Sequence, residues 1–138
     1  MKQSAILLII IFSISCSTTP KTDQGSSTSL NGTWVPVKEE MGGTPLPGII
    51  FGNQKLTLAD SNYTMEAESV DKGVARYNGN KIDIYGKDGV NAGKHFTAIY
   101  KLENGELTIC YNLTGDAYPE TFATTGKPMY FLSTFKKI

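Results

Sequence analysis

Two Asn-Gly pairs, Asn78-Gly79 and Asn104-Gly105, each separate two short runs of β-forming residues. Both residues of such a pair tolerate positive φ, which the central positions of a two-residue hairpin require, so each predicts a tight antiparallel connection. Runs rich in Val, Ile, Thr, Tyr and Phe recur from residue 33 onward, bounded by Gly, Asn, Asp or Pro, and no long segment repeats its apolar residues with a helical period. Strands are expected over residues 33–38, 55–58, 63–68, 73–77, 81–85, 95–102, 106–112 and 129–136. Three longer connections remain, 39–54, 86–94 and 113–128, and the first (Met41-Gly42-Gly43-Thr44-Pro45-Leu46-Pro47-Gly48) is too rich in Gly and Pro for a helix interior.

Eight strands joined mostly by hairpins predict an all-β protein, an eight-stranded antiparallel up-and-down barrel. Closure removes the exposed edges that invite aggregation and leaves an interior able to hold side chains or one small ligand. An open sandwich is the alternative, and it needs longer crossovers. A chain of 138 residues with 40% hydrophobic content suits one such domain, over residues 30–138. Thirteen basic residues balance thirteen acidic ones, so no basic stripe points to nucleic acid.

The first 29 residues read differently. Lys2, an apolar run from Ala5 to Phe12 and the small residues before Cys16 have the layout of a secretory signal over residues 1–15. The apolar run is far short of the roughly 20 residues that span a bilayer. Cys16, after Ile14-Ser15, resembles the cysteine of a bacterial lipobox, with Ser13 where that motif commonly has Leu. The resemblance implies lipidation of Cys16 with acyl chains such as palmitate, and membrane anchoring in the cell envelope, facing the periplasm. Residues 16–29, rich in Ser, Thr and Gly, then form a flexible linker. The alternative is an ordinary signal followed by a free Cys16, which leaves a Cys16–Cys110 disulfide open.

Gly32-Thr33-Trp34 looks like the Gly-x-Trp signature that opens the first strand of lipocalins. Leu46-Pro47, Lys55-Leu56-Thr57-Leu58, Asn62-Tyr63-Thr64-Met65, Ile99-Tyr100-Lys101-Leu102 and Gly105-Glu106-Leu107-Thr108-Ile109-Cys110-Tyr111 follow in order. With Pro119-Glu120-Thr121-Phe122 and the closing Phe131-Leu132-Ser133-Thr134-Phe135-Lys136-Lys137, they resemble a family of small bacterial lipocalin-like proteins common in planctomycetes. The likeness spans residues 31–137. It implies a barrel closed at one end by Trp34, with Lys136 or Lys137 stacked on the ring, and a small apolar ligand. That last inference is one of fold.

Catalytic chemistry finds little support. His95 is the single histidine, and it shares a face with Thr97, Ile99 and Lys101, whereas Phe96, Ala98, Tyr100 and Leu102 form the more apolar face. His95 is therefore expected at the rim or in solvent. No nucleophile–base pair, zinc set, calcium loop or phosphate loop stands out, and no cofactor is expected. Cys110 lacks a Cys-x-x-Cys partner and reads as structural. The aromatic supply is the positive signal. Tyr63, Tyr77, Phe96, Tyr100, Tyr111 and Tyr130 are candidates to line a cavity, with residues 116–128 as its lid, and the same rings would otherwise fill a narrow barrel. The expectation is a monomeric, non-enzymatic envelope lipoprotein, either binding a small apolar molecule or acting as a protein-interaction or inhibitor module.

Overall fold

A computed structural model describes residues 30–138, so the signal segment, Cys16 and the linker lie outside the described residues. The strands are β1 (Gly32–Met41), β2 (Thr44–Pro45), β3 (Lys55–Ala59), β4 (Asn62–Glu66), β5 (Val70–Asn78), β6 (Lys81–Asp88), β7 (His95–Glu103), β8 (Glu106–Asn112) and β9 (Tyr130–Lys137), with one helical turn, α1 (Gly48–Phe51). Each strand from β3 to β8 pairs antiparallel with the next, and β1 pairs with both β3 and β9. The result is a closed eight-stranded barrel of the lipocalin type, with β2 a two-residue arm folded back on the end of β1.

Local chemistry accounts for the turns. At β7–β8 both central residues, Asn104 and Gly105, have positive φ (52° and 78°). At β5–β6 the register is one residue further on: Asn78 pairs with Lys81, so Gly79 and Asn80 are central and Gly79 takes the positive φ of 60°. Pro36, which has no N–H to donate, sits beside a bulge between Pro36 and Lys38. There β1 bends: Gly32 to Trp34 pair with β3, and Trp34 to Met41 with β9.

The antiparallel order puts the turns 59–62, 78–81 and 103–106 at one end. The connections 42–54, 67–69, 89–94 and 113–129 gather at the other. Trp34 plugs the first end. It is 2% exposed, and its indole Nε1 donates to the Leu30 carbonyl at 2.8 Å. Lys137 Nζ lies 5.4 Å from the ring centroid. Gly32 adopts a φ of 136°, and a Cβ there would come within 2.4 Å of Lys137 Cε, so the Gly-x-Trp spacing leaves room for the lysine arm. Lys136 points to the outside instead, where its ammonium is 3.6 Å from Glu106. Alternation along β9 gives the stacking role to Lys137 alone.

Three expectations are corrected. The 39–54 connection holds α1: Pro47 caps it at φ −69° and Gly52 follows it, so the single turn fits between the breakers. β1 runs on through Glu39 and Glu40 to Met41. Residues 116–128 are no lid but belong to a strap across the outer wall. Thr97 Oγ1 donates to the Ala117 carbonyl at 2.6 Å, Tyr118 donates to Asp83, Lys101 lies 5.2 Å over the Phe122 ring, and Thr124 donates to Glu40. The strap explains why Thr97, Ile99 and Cys110 are buried on the barrel's outer face (4%, 4% and 0% exposed).

Replacing Trp34 with Ala should cost about 3–5 kcal/mol, the loss typical of a buried aromatic. Lys137→Met should cost under about 1 kcal/mol, because the cation–π contact is solvent-accessible. Urea unfolding of the two variants measures the contrast.

Candidate ligand cavity

The alternation that seals the barrel wall also sets what faces inward. β5 turns Asp71, Ala75 and Tyr77 to the interior, β6 Ile82 and Ile84, and β8 Ile109 and Tyr111. These side chains do not fill the space. A cavity of about 170 Å³ remains inside the barrel, bordered by Leu30, Leu56 and Leu58 near the plug and by Asp71, Asn91 and Phe131 toward the other end. Five rings border it: Tyr63, Tyr77, Phe96, Tyr111 and Phe131.

Four of the six ring residues expected from the sequence are therefore on the wall. Tyr100 is interior but belongs to the packed core, edge-on to Tyr77 at 5.9 Å and 86°. Tyr130 is outside: it pairs with Asn112, whose side chain holds the strap, and Lys127 Nζ sits 4.6 Å over its ring. The neighbouring Phe131 takes the inward place, 5.6 Å from Tyr111. Counting alternate residues back from Phe135 would have placed Phe131 correctly, because its partner Tyr111 shares the interior face.

The polar residues of the cavity were not evident in the sequence. Asp71 is 5% exposed and accepts three hydrogen bonds, all at 3.0 Å. The Asn91 backbone N–H reaches Oδ1, while the Asn91 amide and the Tyr63 hydroxyl reach Oδ2. Asn91 belongs to the 89–94 connection, so this carboxylate fastens that loop to the barrel rim. Two glycines permit the arrangement. A Cβ on Gly73 would come 2.6 Å from Tyr63 Cε1, and one on Gly86 would come 1.8 Å from the Asn91 carbonyl oxygen.

Burial governs the interior acids. It pushes the Tyr77 phenol up to about 12, with Tyr100 adding to the rise, and raises Tyr63 and Tyr111 further still. Glu39 faces inward on β1 and is 2% exposed. Burial raises its pKa, against the hydrogen bond from the Ser133 hydroxyl at 3.3 Å.

His95 lies on the outer wall, as its strand face predicts. Its Nε2 is 2.8 Å from Asp83 Oδ1, and its ring stacks on Tyr85 at 4.6 Å. Burial acts to raise the Asp83 pKa, but the hydrogen bonds from Tyr118 and His95 outweigh it and hold the carboxyl below its ordinary range. Cys110 is unpaired and wholly buried beneath the strap. Burial lifts its thiol to about 11, only partly offset by Lys127. Among the described residues no three His, Cys, Asp or Glu side chains group to hold a metal. Comparison with protein-family models, with curated proteins and with solved structures finds no match.

Two outcomes follow. Unfolded phenols ionise near 10 while Tyr77 holds its proton to about 12, so the unfolded state loses protons first. The contribution to stability is complete below pH 10 and is lost as pH rises toward 12. Urea midpoints should fall over that window, and less so in Tyr77→Phe. Native Cys110 should resist a thiol reagent at pH 8 and react at once in denaturant, as absorbance of the released chromophore would record.

Proposed function

We propose that this chain is a lipid-anchored, lipocalin-like binding protein of the bacterial cell envelope, which takes a small, largely apolar molecule into its barrel. The observation that carries the reading is the cavity of about 170 Å³ left inside a barrel plugged at one end by Trp34. An apolar protein cavity of about 150 Å³ is enough to admit benzene. A barrel acting only through its outer surface has no need of such a space, and this favours ligand binding over an interaction module with a filled core. Anchoring rests on the sequence: Lys2, the apolar run from Ala5 to Phe12, and Cys16 ahead of a Ser/Thr-rich linker.

Mass spectrometry of the protein purified from its own membranes tests both halves. Under denaturing conditions Cys16 should carry acyl mass that Cys16→Ser abolishes. Under native conditions a small passenger should accompany the chain. An unmodified Cys16 would overturn the anchor. An empty barrel that also rejects small apolar probes would overturn the binding role.

A further inference from the structure

The walls of the cavity carry one sign of charge. Asp71 borders it, and no Lys, Arg or His does. Both Asp71 oxygens accept hydrogen bonds from neutral groups, the pattern of an ionised carboxylate, and no cation pairs with it among the described residues. Buried charges ordinarily have a counter-charge, because hydrogen bonds from neutral donors offset only part of the desolvation cost. A carboxylate offers about four lone-pair positions, and three are taken, so one remains. The same cavity is bordered by the rings of Tyr63, Tyr77, Phe96, Tyr111 and Phe131, whose faces are the negative regions of their quadrupoles. The hydroxyls of Tyr77 and Tyr111 have no hydrogen-bond partner among the described residues, and their oxygens are free to accept. Glu39 is a second buried acid on the interior face of β1, outside the cavity lining.

We infer that the cavity selects a small organic cation: a primary or methylated ammonium on a single ring or a short aliphatic body. The ammonium supplies the counter-charge that Asp71 lacks and donates to the open lone pair. The apolar body lies among the rings, where cation–π attraction strengthens once water is expelled. A carboxylate ligand such as a fatty acid meets Asp71 with like charge and finds no basic residue to receive it. The volume limits the body to about the size of one substituted benzene ring.

This inference rests on the cavity being a binding site, and three probes of one shape separate the two claims. Benzylamine, benzyl alcohol and benzoate differ in charge and little in size. Titrated into the full-length protein at pH 7 and followed by NMR, benzylamine should bind about tenfold or more tighter than benzyl alcohol, and benzoate most weakly. Asp71→Asn should remove most of the benzylamine advantage while benzyl alcohol stays within about twofold, and Tyr111→Phe should weaken benzylamine while keeping the ring. Equal or tighter binding of the alcohol or of benzoate overturns the cation selectivity and leaves the binding site standing. Binding of none of the three overturns both. The unsubstituted protein decides the matter by its order of affinities, so the outcome does not depend on either variant folding.

Discussion

Everything in this molecule depends on the seam between β1 and β9. Seven pairs, from Trp34 with Lys137 to Met41 with Phe131, close the sheet on itself. An eight-stranded sheet left open would expose two edges and could not say which of its faces is the core. Closure fixes the face, and side-chain alternation then assigns every second residue of every strand to the interior. The bulge beside Pro36 allows one strand to serve both neighbours. The two halves of β1 diverge there, the first toward β3 and the second along β9.

The two ends of the barrel are built from different chemistry. At one end Trp34 is buried, with its indole N–H satisfied by the Leu30 carbonyl and Lys137 over its ring. The other end carries the polar groups of the cavity. Asp71 holds the 89–94 connection through both the backbone and the side chain of Asn91, so the loop nearest the cavity is held by hydrogen bonds rather than by apolar packing. Such a fastening is directional and sensitive to what else approaches the carboxylate.

The outer wall is more than a solvated surface. The 113–129 strap buries Thr97, Ile99 and Cys110 on the side of the barrel away from the core, which gives the fold a second, thin buried layer. The strap's hydrogen bonds run to four different strands: Tyr118 to Asp83 on β6, Thr97 of β7 to Ala117, Asn112 of β8 to Ala117, and Thr124 to Glu40 on β1. It therefore ties the closing seam to the middle of the sheet from outside. His95 and Asp83 belong to this outer network and not to the cavity.

The amino-acid sequence by itself determined the strands, the barrel and the plug. Period-two alternation and turn residues such as Asn104-Gly105 are local signals, readable within a few residues, and Gly32-x-Trp34 placed the closed end. Of the aromatic residues the sequence offered for a cavity, Tyr63, Tyr77, Phe96 and Tyr111 border one. Tyr130, offered with them, lies outside because the inward phase of β9 comes from pairing with β8, and a shift of one residue exchanges the two faces. Only the tertiary structure decided that residues 116–128 run outside the barrel and that Asp71 meets Asn91. Those contacts join residues 84 and 20 positions apart, as with Thr124 to Glu40 and Asn91 to Asp71. Irregular loops carry no periodicity to announce their partners. Their course is set by which buried polar group, on which distant strand, they satisfy once the barrel has closed.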